Sequence, residues 1–181
     1  MKKNNKILWI ILGLVLLALI IYVILKPEQQ FKTIELKKEN YVVNRTDLPY
    51  LDTITHAGLE ELKIKGITIM IRYIDGSRKI DGDYELNGYI VASKGGGNSY
   101  LMYLKKGIGR LKAIDIISHE LIHINQYFKG DLVLLGDGYI LWEEKEFQDI
   151  TTIPYPEREW EKEAFYMGPV LRTKLSNKLY E

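Results

Sequence analysis

Residues 110–128 read RLKAIDIISHELIHINQYF, and their periodicity decides how the second half of the chain is built. Leu111, Ile114, Ser118, Leu121, Ile122 and Asn125 recur at helical spacing, so the segment is expected to be a helix with one face toward a core. His119, Glu120, His123 and Gln126 fall together on the neighbouring face. Lys129-Gly130 then supplies a cation in the last turn and a glycine beyond it, which marks the C-terminal end.

Two histidines four apart on a helix lie one above the other, so both imidazoles can address a single atom. With a glutamate directly after the first, His119-Glu120-x-x-His123 is the pattern in which two imidazoles hold Zn²⁺ and the glutamate acts as general base toward a water activated by the metal. The chain contains three histidines, and two of them are here. The third, His56, stands beside Ala57-Gly58 with no matching ligand near it in sequence and is expected to be structural or exposed. Without such chemistry, His119 and His123 would be surface histidines with Glu120 as a helical neighbour.

Upstream, residues 50–63 set Leu51, Ile54, Leu59 and Leu62 on the apolar side of a short helix. Residues 67–74 (ITIMIRYI) are β-branched and apolar, the mark of a buried strand, and Asp75-Gly76 turns the chain. Tyr84–Ala92 is a second strand-like run and Ser99–Leu104 a third, joined through Gly95-Gly96-Gly97-Asn98. That glycine run lacks the Lys-Ser/Thr of a phosphate loop and reads as a connection between strands. The third strand, just before the helix, is expected to be an edge strand that aligns an extended peptide by main-chain pairing. Downstream, residues 132–142 (LVLLGDGYILW) read as a β-hairpin around Gly-Asp-Gly. From Glu157 the chain becomes helical again, and Pro169 is expected to end or kink that helix.

Ile7 to Leu25 are nineteen residues without a charge, about 28 Å as a helix, which matches the hydrocarbon core of a bilayer. Lys2, Lys3 and Lys6 precede the run, Lys26-Pro27 close it, and Trp9 and Tyr22 lie near its ends. It is too long for a cleaved signal peptide and lacks a small-x-small cleavage site. Residues 1–26 are therefore expected to be a single-pass membrane anchor, 27–40 a polar linker, and 41–181 the globular domain. The leading lysines favour a cytoplasmic N-terminus and a domain outside the cytoplasm. Among 181 residues, 25 are basic and 24 acidic, a formal charge of +1, which gives no reason to expect nucleic acid as a partner. There is no cysteine, so disulfides, thiolate zinc sites and cysteine nucleophiles are excluded.

A catalytic zinc site generally has three protein ligands and keeps one position open. No histidine follows His123, which leaves Asp and Glu, and the downstream helix offers Glu159, Glu161 and Glu163. Glu161 and Glu163 are about 200° apart around a helix, so only one of them can face the metal. These residues resemble a small zincin of the gluzincin type, in which a glutamate on a second helix completes the site. That glutamate often stands in an E-x-x-A pattern whose small residue lets the two helices pack closely. Glu161-Lys162-Glu163-Ala164 matches it. The wider string Pro156–Ala164 (PEREWEKEA) is similar to a segment of compact proteins that share HExxH followed by an aromatic-Glu-x-Glu-Ala helix. The resemblance spans residues of about 110–168 and implies Glu161 as third ligand. Glu163 is the next choice, and Glu159 with Glu163 as ligand and supporting group is a third. Asp115, one turn before His119, either orients its ring or is a solvated charge. Tyr127 and Tyr155 are candidate oxyanion donors.

The expected molecule is α+β: an N-terminal transmembrane helix followed by a minimal zincin-like domain, with a small antiparallel or mixed sheet, the HExxH helix and a C-terminal ligand helix. The expected activity is zinc-dependent hydrolysis of a peptide or protein, with His119, His123 and Glu161 as ligands and Glu120 as base. Two expectations compete. One is a membrane-anchored domain that keeps zinc for stability or partner binding; the other is an amidase acting on a non-protein amide such as cell-wall peptide.

Overall fold

The computed structural model describes residues 39–75, 79–80, 84–92, 97–136 and 138–180. The expected membrane anchor and residues 27–38 of the expected linker lie outside the described residues, as do Gly76, Gly95, Gly96 and Asp137 of the expected turns. Among the described residues, no helix is long and apolar enough to cross a membrane.

The fold is α+β. Strand β1 (Tyr41–Asn44), helix α1 (Tyr50–Glu61) and strand β2 (Thr68–Tyr73) form a crossover unit with the two strands parallel. A pair of two-residue strands follows, β3 (Lys79–Ile80) against β4 (Tyr84–Glu85). Strand β5 (Gly88–Ala92) and strand β6 (Ser99–Leu104) complete a four-stranded sheet of order β1-β2-β6-β5. Strand β6 runs parallel to β2, with Thr68 opposite Ser99, and antiparallel to β5, with Gly88 opposite Leu104.

Two sequence expectations are corrected here. The run Tyr84–Ala92 is not one strand: it breaks at Leu86-Asn87, and its halves pair with different partners. Ser99–Leu104 is not an edge strand, because it is hydrogen-bonded on both sides. Alternation of side chains reports which face of a strand is buried and carries no information about how many neighbours it has. In β2, Ile69 and Ile71 are fully buried while Arg72 is exposed, so this strand is buried on one face only.

Helix α2 (Arg110–Lys129) lies on that buried face. It starts after the extended Gly109 and stops at Gly130, whose φ of 83° is left-handed and whose N–H closes onto the carbonyls of Gln126 and Tyr127. Ala113, Ile114, Ile117, Leu121 and Ile124 join Ile69, Ile71, Met102 and Leu104 in the main core. Leu111, expected on the core face, is 63% exposed, although Ala113 and Ile114 beside it are buried in the core. Helix α1 approaches very closely: a Cβ on Gly58 would come within 2.2 Å of Leu121 Cδ1.

Beyond α2 the expected hairpin forms, as β7 (Leu132–Gly136) and β8 (Tyr139–Trp142), and a third strand β9 (Lys145–Phe147) extends it. The β8–β9 turn puts Glu143 and Glu144 at φ of 45° and 71°. Asn-Gly ordinarily announces that backbone, and two glutamates conceal it. Leu132, Ile140 and Trp142 of this sheet gather around Trp160 in a second, smaller core. Helix α3 (Glu159–Tyr180) begins there and continues past Pro169, so of the end or kink expected at this proline the end does not occur. A proline inside a helix costs about 3 kcal/mol. Beyond it, Leu171 and Leu175 are buried in the main core, each contributing about 1.5–3 kcal/mol, which is enough to carry the helix on.

Candidate metal centre

His119 and His123 project from the middle of α2 toward the first turn of α3, where Glu161 faces them. The Nε2 atoms of the two imidazoles are 3.2 Å apart. Glu161 Oε2 lies 3.4 Å from His119 Nε2 and 3.2 Å from His123 Nε2. In a tetrahedral centre with ligand bonds of about 2.0–2.1 Å, ligand atoms stand about 3.3–3.4 Å apart. The triangle therefore has the dimensions of three corners of such a centre, and these three residues can hold a metal ion. Glu161 Oε2 is shielded from solvent and makes no hydrogen bond, a costly arrangement for a buried carboxylate oxygen unless a cation sits beside it.

The close approach of the two helices comes from small residues on α3. Ala164 is fully buried in the core. One turn on, a Cβ on Gly168 would meet His119 Cα at 3.4 Å. Phe165 between them packs its ring 4.9 Å from that of His119. From the other direction, Trp160 holds the start of α3 in the second core, against Trp142 and Phe147.

The electrostatics follow from burial and convergence. Burial opposes the charge on Glu161, but the adjacent His119 and His123 and the hydrogen-bonded Tyr155 outweigh it and hold its carboxyl at about 2. Burial likewise works against a charged His123, and Glu161 and Glu120 overcome it, raising the imidazole to about 9. Glu120 is 5% exposed, and its carboxyl is pushed above the ordinary range, first by burial. Tyr155 is raised as well, by burial and then by the charge of Glu161.

Two cavities meet at this cluster. One, of about 340 Å³, is lined by Asn87, Gly88, Ile116, His119, Glu120 and Phe165. The other, of about 540 Å³, includes Tyr89, Val91, Glu120, His123, Tyr127 and Glu161. Glu120 and Tyr155 line both. Strand β5 lines the second from Gly88 to Val91 and meets the first at Gly88, and among the described residues no strand pairs with its outer edge.

The structure brings together His119, His123 and Glu161, with Glu120 beside them. Glu163, the next choice for third ligand, accepts a hydrogen bond from Gln126 Nε2 at 2.8 Å instead. Glu159 points away to Lys145, 3.4 Å off. Asp115 does not reach His119; it pairs with Arg172 of α3 at 2.7 Å. His56 is exposed on α1. Of the two tyrosines, Tyr155 is hydrogen-bonded to Glu161 and opens on both cavities. Tyr127 is pushed up to about 12, chiefly by burial.

Sequence reasoning placed Gln126 beside the two histidines without giving it a role, and gave none to Arg158 or Phe165. Arg158 is 8% exposed, donates from Nε to Ile153 O at 3.1 Å and stacks 5.4 Å over the Tyr155 ring. Gln126 had one available signal, its place one turn after His123 on the same helix face. Arg158 and Phe165 had none. No family model matches the chain, and no curated protein or solved structure matches it.

Proposed function

We infer that the domain is a zincin-type metallopeptidase that hydrolyses a peptide or protein with Zn²⁺ held by His119, His123 and Glu161. The observation that carries this reading is the convergence of three ligand atoms at ion-sized spacing beside a buried carboxyl that opens on two cavities. Two imidazoles and one carboxylate suit zinc among the common divalent ions. When bound, zinc supplies a Lewis acid that lowers the pKa of a water toward about 7.

The remaining work falls to the chain. Glu120, with its pKa raised by burial, takes a proton from the attacking water onto a carboxylate oxygen and later gives it to the leaving amine nitrogen. The Tyr155 hydroxyl donates a hydrogen bond to the carbonyl oxygen as that atom gains negative charge. The free edge of β5, rather than β6, receives an extended substrate by main-chain pairing. The uncharged run Ile7–Leu25 would tether this activity to a membrane.

A structural zinc site is closed by a fourth protein ligand. Among the described residues the ligand group has three members, which favours catalysis over a purely stabilising metal. The test is Glu120→Gln in the zinc-loaded protein, assayed on a mixed peptide library. Zinc content and melting temperature should match the wild type, while hydrolysis falls by at least about 10²-fold. Undiminished hydrolysis in that variant removes Glu120 from the mechanism.

A further inference from the structure

Gln126 is buried to 1% exposure, next to His123 and Glu163, and every polar atom of its amide is engaged. Its Oε1 lies 2.8 Å from His123 Nδ1. Its Nε2 donates to the carbonyl of Trp160 at 2.9 Å and to Glu163 Oε2 at 2.8 Å. An amide nitrogen has two hydrogens and no lone pair to offer. Both hydrogens are taken by acceptors on α3, so the oxygen must be the atom that faces His123. Turning the amide over would set its oxygen against a carbonyl and a carboxylate, and its NH₂ against the ring. The orientation is thus fixed by its partners.

That orientation decides the state of the ring. Facing an acceptor, His123 Nδ1 keeps its hydrogen, so when the ring gives up a proton it is Nε2 that is left with the lone pair, pointing toward His119 and Glu161. The same amide grips α3 at Trp160 and Glu163, on either side of Glu161. Fully satisfied buried networks of this kind hold their members in one geometry. We propose that Gln126 is a positioning residue: one side chain sets the His123 tautomer and, through Trp160 and Glu163, fixes where Glu161 meets it. Glu163 acts through Gln126 and has no direct part in binding the ion. This rests on the reading of His119, His123 and Glu161 as metal ligands.

The experiment compares zinc affinity, by chelator competition, and the visible absorption of Co²⁺ added in place of zinc. Three chains are used: the wild type, Gln126→Leu, and the exchange variant Gln126→Glu with Glu163→Gln. Gln126→Leu fills the same space without hydrogen bonds, and zinc should bind it about 10–100-fold more weakly, with altered cobalt bands. The exchange variant keeps an acceptor toward His123 Nδ1 and a donor from position 163 toward position 126, and gives up the bond to the Trp160 carbonyl. Its affinity should recover part of the roughly 10–100-fold loss of Gln126→Leu, because the hydrogen on His123 Nδ1 again has an acceptor, a rescue that a space-filling role for Gln126 does not produce. If Gln126→Leu does not fold, the exchange variant decides alone. A wild type with a tetrahedral cobalt spectrum that Gln126→Leu leaves unchanged overturns the positioning role only. An exchange variant as weak as Gln126→Leu does the same. A wild type with no such spectrum overturns the metal centre and this role with it.

Discussion

Replacing Glu161 by Gln tests which carboxylate completes the centre, and the structure sets the size of two separate effects. The first is on the metal-free fold. Glu161 is held at about 2 against an ordinary 4.5, a difference of up to about 3 kcal/mol in favour of the folded state. Because the folded value is the lower one, this stabilisation is complete above pH 4.5 and is lost as pH falls through 2. At pH 7.5, Glu161→Gln should therefore lower the melting temperature of the metal-free protein by no more than about 10 °C. The second effect is on the ion. Losing a group that supports a ligand typically costs 10–100-fold in affinity, so losing the one anionic ligand should cost more than about 100-fold. The control is Glu163→Gln, which keeps an acceptor for Gln126 and should stay within about threefold. The assay is zinc titration against a chelator of known affinity, with calorimetry of each metal-free variant. If Glu161→Gln binds zinc like the wild type while Glu163→Gln loses it, the assignment of the third ligand is wrong.

Two further outcomes follow from the same geometry. Tyr155→Phe removes the hydroxyl proposed to face the carbonyl oxygen and should lower kcat about 10²-fold with little change in KM; a variant with full kcat would exclude that role. Zinc uptake should also depend on pH. In the metal-free protein His123 stays charged up to about 9 and must lose a proton to bind. Its apparent zinc affinity should then rise about tenfold per pH unit from pH 6.5 to 9 and level off above. A flat profile over that range would show that His123 is not held charged in the metal-free protein.

What the sequence disclosed depends on whether the cause was local. His119, Glu120 and His123 share one helix, and the spacing that brings them to one side is a property of that helix alone. Gly130 as its stop and Gly-Asp-Gly as a hairpin centre are local in the same way. The position of Glu161 was readable only through the resemblance, because its neighbour Ala164 matters for how a second helix packs. The long-range facts were hidden. Nothing along Tyr84–Ala92 says that Gly88 lies against Ile116, where a Cβ would come within 2.3 Å, or that β5 rather than β6 takes the edge. Pro169 misled because its local cost is visible in sequence, while the burial of Leu171 and Leu175 that offsets it is tertiary. Tyr155 could not be chosen from 13 tyrosines until Arg158 and Glu161 were seen on either side of it.

The division of the interior into two clusters bears on how such a small domain keeps three ligands in register. His119 and His123 stand on α2, which is fixed by the main core against β2 and β6. Glu161 stands in the first turn of α3, and that turn is fixed by Trp160 in the second core, against Trp142 and Phe147. The two cores are built on different sheets. Ala164 and Gly168 let the helices approach, yet they set a distance and not a rotation, since small side chains offer little to resist sliding. Directional contacts must supply the rotation. At the level of the ligands these are the hydrogen bonds of Gln126 to both ends of the Trp160–Glu163 turn, and farther along the helices the Asp115–Arg172 pair. The first is buried and rigid. The second is an ion pair with Arg172 about half exposed, whose contribution is about 1 kcal/mol or less. Precision at the centre therefore depends on one amide far more than on the charges at the rim.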